Sequence, residues 1–223
     1  MKRIALALIF VAMTAGVGLA QQGVPPEKFR ITDILITSYR GPSVADTSAY
    51  FSSKAGKDFE RELQSDDDER YCLQAPQLEK ATGLWQGTVE PSYWIHANAR
   101  PTEAEAYAAE HAKKHQQDAV LVFESEPDGP DAEYVFTWPQ APAIGVVFDA
   151  LKKAGFDGGT IAGNKLLIVD PKAANKAKAA TLAEALGVHM QTNTGRAHML
   201  DQAGYQKVLA LYDAFPHSCP TQH

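Results

Sequence analysis

Apolar residues in the first half of the chain alternate between a two-residue spacing, typical of strands, and the three- and four-residue spacing of amphipathic helices. The strand at 92–98, for example, places Tyr93, Ile95 and Ala97 on one face. In chain order the pattern predicts a strand at 30–37, a helix at 44–64 broken near 52–53, strands at 77–86 and 92–98, a helix at 101–115 and a strand at 119–124. The first half therefore has the order β-α-β-β-α-β.

The same order recurs after residues 126–131, a segment with two prolines and one glycine that indicates a boundary. The pattern there predicts a strand at 133–138, a helix at 144–155, a hairpin at 160–169, a helix at 172–186, a strand at 188–192 and a last helix at 205–212. This order suits a four-stranded antiparallel sheet with two helices on one face. We therefore predict an α+β protein of two tandem ferredoxin-like units, 21–127 and 132–223, the second with a C-terminal helix and tail.

The N-terminal residues have the pattern of a secretory signal peptide. Lys2 and Arg3 precede an apolar run at 4–17, and Gly18 and Ala20 supply the small residues of a cleavage site. The run is short for a membrane span. We expect 1–20 to be a signal peptide cleaved after Ala20, and the mature protein to be periplasmic or secreted by a bacterium, without integral membrane association.

The charge of the chain restricts its partners. It carries 21 Lys and Arg against 27 Asp and Glu, a net charge of −6, and removal of Lys2 and Arg3 makes it more negative. Such a surface argues against nucleic acid and leaves a protein or a small molecule as the expected partner. The two cysteines, Cys72 and Cys219, predict one disulfide in an oxidising compartment, with two unpaired thiols as the alternative.

Two histidines on the first unit's second helix have a spacing found in metal sites. His111 and His115 lie four residues apart on one helical face, and His96 lies on the preceding strand. The alternative is that both histidines lie at the edge of a helix that packs through alanines. No cofactor is predicted.

Glu90 and Gln117 are catalytic candidates at neighbouring strand ends. Glu90 can act as a base or bind a cationic group. It can equally accept hydrogen bonds from Gln117 or from backbone amides and hold the entry to its strand.

Trp94 and His96 are candidate ligand-binding residues on the open face of the first predicted sheet. A sheet with helices on one side leaves its other face to be covered. A ligand can cover it, or the two sheets can cover each other, or two protomers can form a homodimer through this face.

Three motifs carry a family resemblance. Gly83-x-Trp85, Glu90-Pro91-Ser92 and the run 117–121 (Gln-Asp-Ala-Val-Leu) resemble, in this order, a family of small exported bacterial proteins of unknown function with G-x-W, E-P-S and Q-[DE]-[SA]-V motifs. The resemblance covers residues 30–125. It implies export and a ferredoxin-like fold, and it brings no known activity or catalytic residues.

These observations favour an exported binding or interaction module without enzymatic activity. One alternative is a hydrolase that uses Glu90 with a nearby histidine. Another is a divalent-metal-binding protein that uses His96, His111 and His115.

Overall fold

The computed structural model describes residues 28–65, 70–85, 88–170, 175–214 and 219. The predicted signal peptide and its cleavage site lie outside these residues. The strands are β1 (Arg30–Ile36), β2 (Gln74–Trp85), β3 (Thr88–Ala99), β4 (Ala119–Ser125), β5 (Asp131–Thr137), β6 (Gly158–Ala162), β7 (Lys165–Asp170) and β8 (His189–Asp201). The helices are α1 (Ser48–Ser52), α2 (Lys54–Ser65), α3 (Pro101–Lys114), α4 (Ile144–Ala154), α5 (Lys176–Leu186) and α6 (Gln202–Asp213).

The eight strands form one closed antiparallel barrel in the order β1-β3-β2-β6-β7-β5-β8-β4. The prediction of two tandem ferredoxin-like units is wrong, because the halves share this single sheet. Two seams join them. β2 pairs with β6, where Ala81 lies opposite Ala162, and β4 pairs with β8, where Val122 lies opposite His198.

Strand β8 makes the second seam possible through its length. The sequence predicts a strand at 188–192, whereas β8 runs from His189 to Asp201. Its first part pairs with β5 and its last part with β4. Gly195 lies at the crossover, where a Cβ atom would collide with the Glu124 carbonyl group. A residue with a side chain would therefore separate β8 from β4.

The helices pack on the outside of the barrel, over the outward residues of the strands. On β3 these are Tyr93, Ile95 and Ala97, which belong to the core beneath α2, α3 and α6. A second core lies between β5–β7 and the helices α4 and α5. The opposite strand face therefore lines the barrel interior, so a homodimer through an open sheet face would require the barrel to open.

The predicted disulfide between Cys72 and Cys219 is confirmed, with its sulfur atoms 2.03 Å apart. It joins residue 219 to the segment that leads into β2, across 147 residues of sequence. A closed loop of this length reduces the entropy of the unfolded chain, which favours the folded state by about 2–5 kcal/mol. Among the described residues, no helix has the length and apolar character needed to cross a membrane.

Candidate functional site

The barrel interior contains an open cavity of about 620 Å³ at one end, here called the mouth cavity. Its apolar wall comes from three strands: Leu35 on β1, Leu121 on β4, and Leu167 and Val169 on β7. Ser92, Thr160 and Thr37 add hydroxyl groups to the same wall. A volume of this size and a mostly apolar lining with few polar groups are typical of small-molecule sites.

The rim of the mouth cavity exposes two large apolar side chains. Trp85, at the end of β2, is 49% exposed, and Met199 on β8 is 53% exposed. Burial of these two side chains by a ligand would remove apolar surface from water. Arg40 also lies at the rim, where its guanidinium donates hydrogen bonds to the main-chain and side-chain oxygens of Gln116.

Glu90 places a carboxylate in the wall of the mouth cavity from the first residues of β3. Gly83 lies opposite it on β2, and a Cβ atom there would come within 2.8 Å of Ser92 Oγ and 3.2 Å of Glu90 Cγ. The absence of a side chain at Gly83 therefore makes room for Glu90. Burial raises the pKa of the Glu90 carboxyl above its ordinary value. Within the described part of the chain, no group forms a hydrogen bond or an ion pair with this carboxylate.

Gln117 also lines the mouth cavity, but its side chain has other partners than Glu90. Its Nε2 donates to the carbonyl oxygen of Tyr39, at 3.3 Å, and to that of His115, at 3.4 Å. Gln202 donates to the Gln117 carbonyl oxygen at 2.6 Å. Gln117 therefore connects α3, α6 and the loop after β1, and so it fixes the rim.

An apolar layer closes the inner end of the mouth cavity. It consists of Ala81, Trp94, Ala162 and Leu167, with Leu35 packed against them. The predicted ligand-binding residue Trp94 thus belongs to this layer, inside the barrel. The Lys165 ammonium lies over its ring, 4.9 Å from the ring centre.

A polar cluster lies on the other side of the apolar layer. Asp33, which is 4% exposed, accepts hydrogen bonds from Trp94 Nε1 and from His96 Nδ1, the latter at 2.8 Å. The hydrogen bond to Asp33 raises the pKa of His96. The two predicted ligand-binding residues therefore share one buried carboxylate.

Glu133 adds a second buried carboxyl to the polar cluster from the opposite side of the barrel. Its Oε2 accepts a hydrogen bond from Asn193 at 3.0 Å, whereas its Oε1 is buried without a hydrogen-bond partner in the described residues. Burial and then the charge of Asp33 raise the pKa of Glu133 to about 8. A protonated Glu133 satisfies this environment best, since it places no second charge beside Asp33.

The two predicted metal ligands on α3 both bind the carboxylate of Glu62. His111 Nδ1 lies 2.8 Å and His115 Nε2 3.1 Å from Glu62 Oε1, and Lys114 Nζ lies 3.1 Å from the same atom. Burial opposes ionisation of Glu62, but these hydrogen bonds lower its pKa overall. The spacing of His111 and His115 thus brings both imidazoles to one point, where α2 supplies a carboxylate.

Sequence reasoning missed another cluster that has metal-ligand chemistry. Glu105 on α3, Glu124 on β4 and His198 on β8 each offer one ligand atom, all within 4.8 Å of one another. His198 Nδ1 lies 2.9 Å from Glu105 Oε1, a hydrogen bond that raises the pKa of His198. The Nε2 of His198 is buried without a hydrogen-bond partner in the described residues, and a divalent ion would suit this donor set. Only the unpredicted β4–β8 pairing brings these residues together.

Comparison with known protein families, with curated proteins and with solved structures found no match to this chain. The resemblance carried by Gly83, Trp85, Glu90 and the run 117–121 therefore stays a prediction. The structure places all of these residues at the mouth cavity except Val120, which faces the outer core.

Proposed function

We propose that the protein binds a small, largely apolar molecule in the mouth cavity. The observation that carries this proposal is a cavity of about 620 Å³ with apolar walls and one half-buried carboxylate that has no partner among the described residues. The half-exposed Trp85 and Met199 add apolar contact area at the entrance. A preformed pocket of this kind binds without a large ordering cost.

The experiment is a titration of the protein with N-phenyl-1-naphthylamine, a neutral apolar dye that fluoresces when it leaves water. We expect saturable binding of one dye per chain. Ala197→Phe places a ring into the cavity wall and should abolish binding. Ala210→Phe, at an exposed position of α6, is the matched control and should bind like the wild type.

Melting temperatures of both variants report whether each is folded. Equal dye binding by the wild type and by a folded Ala197→Phe variant would contradict the proposal. So would the absence of saturable binding in the wild type across apolar dyes of this size.

The geometry of the mouth cavity does not favour the hydrolase alternative. It requires a histidine near Glu90, and within the part of the chain that the structure describes no histidine lines the mouth cavity. His96 lies in the polar cluster, bound to Asp33, beyond the apolar layer. The binding function therefore remains the better proposal.

We also propose that the protein is exported, on the pattern of residues 1–20 alone. Expression of the full chain in a bacterium with a native secretion system tests it. The expected product in the periplasmic or secreted fraction begins at Gln21, as determined by mass spectrometry of the intact chain. An uncleaved chain confined to the cytoplasm would contradict export.

A further inference from the structure

The charged side chains around the mouth cavity differ in their exposure to water. Of the described residues that line it, three carry a formal charge, namely Arg40, Glu90 and Asp118. Arg40 and Asp118 are exposed at the rim, and Arg40 is bound to the oxygens of Gln116. Glu90 is the one of the three that lies partly out of water, in the wall itself.

Two other basic side chains of the barrel also have other partners. Lys165 lies over the Trp94 ring and 3.7 Å from Glu79 Oε1. His96 is bound to Asp33 on the far side of the apolar layer. In the described residues, therefore, no protein cation compensates the Glu90 carboxylate.

We infer that the ligand of the mouth cavity is an amine with an apolar body, whose ammonium group binds Glu90. This inference rests on the proposed binding function and specifies its ligand class. The apolar body lies along Leu35, Leu121 and Leu167 and reaches Trp85 and Met199 at the rim.

Charge separates this ligand class from acids and alcohols of the same shape. A ligand carboxylate would approach Glu90 against like-charge repulsion in a partly desolvated site. An alcohol would supply one hydrogen bond without a compensating charge, and charge-assisted hydrogen bonds are roughly twice as strong. The amine should therefore bind at least about tenfold more tightly than the alcohol.

The amine should also bind more tightly as the pH rises. Burial raises the pKa of Glu90, so that its carboxyl stays protonated to a higher pH than that of an exposed glutamate. An ammonium group binds the ionised form, and its affinity increases until Glu90 is fully deprotonated. Among the described residues, the other ionisable groups that face this space are Arg40, Asp118 and Tyr39 at the rim.

Calorimetric titration with three matched compounds tests the inference: 1-naphthylmethylamine, 1-naphthylmethanol and 1-naphthoate. We expect the amine to bind most tightly and the acid to show no measurable binding. Glu90→Gln should weaken amine binding by at least about tenfold and alcohol binding by less than about twofold. Glu79→Gln, which removes an exposed carboxylate from the same barrel, should leave the order unchanged.

The outcomes separate the ligand class from the binding function. If the alcohol or the acid binds as tightly as the amine, and Ala197→Phe blocks it, the amine inference fails and the proposed function stands. Selectivity for the amine that survives in a folded Glu90→Gln variant also overturns the inference. If none of the three compounds binds, both fail.

Discussion

The indole Nε1 of Trp94 on β3 donates a hydrogen bond to the buried carboxylate of Asp33, which lies diagonally across the β1–β3 pair. The Trp94 ring belongs to the apolar layer at the inner end of the mouth cavity, whereas Asp33 belongs to the polar cluster beneath that layer. One hydrogen bond therefore connects the two compartments of the barrel interior. It also fixes the ring of the layer to which the cavity-lining residues Leu35 and Leu167 belong.

Replacement of Asp33 by alanine should destabilise the protein by about 2–4 kcal/mol, because it leaves the buried Nε1 of Trp94 and the half-exposed Nδ1 of His96 without their acceptor. Asp33→Asn keeps one acceptor oxygen and should cost less. Urea unfolding measures both changes. Asp149→Ala, at an exposed position of α4, is the control and should change the free energy of unfolding by less than about 0.5 kcal/mol. An equally small loss for Asp33→Ala would contradict the account of the polar cluster.

Glu133→Gln should stabilise the protein increasingly as the pH rises from about 5 to 8. The pKa of Glu133 is about 8 in the folded protein, above its ordinary value of 4.5. The folded state therefore binds more protons than the unfolded state in this range, and the wild type loses stability as the pH increases. Glutamine carries no charge and avoids this loss, which is on the order of 2–4 kcal/mol at pH 8.

Melting temperatures of wild type and Glu133→Gln across this pH range provide the measurement. Glu184→Gln, at an exposed position of α5, should follow the wild type throughout. A constant difference between Glu133→Gln and the wild type would show that Glu133 is ionised throughout the range.

His111→Ala should destabilise the protein by about 1–3 kcal/mol near neutral pH, because the largely buried Glu62 carboxylate loses its 2.8 Å partner. The pKa of Glu62 is lowered in the folded protein. The ionised Glu62 carboxylate therefore stabilises the protein at pH values above the ordinary pKa of glutamate, and this stabilisation is lost as the pH falls through the lowered pKa of the folded state. The difference between His111→Ala and the wild type should therefore shrink below about pH 4. His189→Ala, at an exposed position of β8, is the control. Equal losses of stability in the two alanine variants would contradict this explanation.

A cysteine pair at Ala81 and Ala162 should form a second disulfide in the folded protein. These residues are directly opposite across the β2–β6 seam, where Cα atoms lie about 4.5–5.5 Å apart. This separation allows a disulfide. Mass spectrometry after thiol blocking counts the free thiols. The control pair, Ala81→Cys with Ala132→Cys, places the second thiol on the outer face of β5 and should stay reduced. Free thiols in the first pair would mean that the seam does not form.

The sequence pattern predicts most elements well, because each strand or helix buries one face and its residues repeat accordingly. The outward residues Tyr93, Ile95 and Ala97 show this, as does the helix that packs through Ala104 and Ala108. The disulfide was also predictable from two cysteines in an expected oxidising compartment. These features depend on local spacing or on composition.

Closure of the barrel was not predictable in the same way, because periodicity does not specify the partner of an edge strand. The end of β8, residues 193–201, is polar around Gly195 and lacks a strand pattern, yet it forms the seam with β4. The burial of the interior acids was not predictable for a related reason. Asp33 and Glu133 alternate with apolar residues as solvent-facing positions do, whereas the closed barrel buries both. Their locations follow from the tertiary fold alone.

The central claim is that a ligand binds inside the mouth cavity, beside Glu90. Its most direct test is an NMR titration of isotopically labelled protein with 1-naphthylmethylamine, which follows each backbone amide. We predict saturable shifts at Gly83, Gly159 and Ser92, which line the cavity, and small changes on the outer helices α4 and α5. Saturable shifts confined to the outer helices, or none at all, would contradict it.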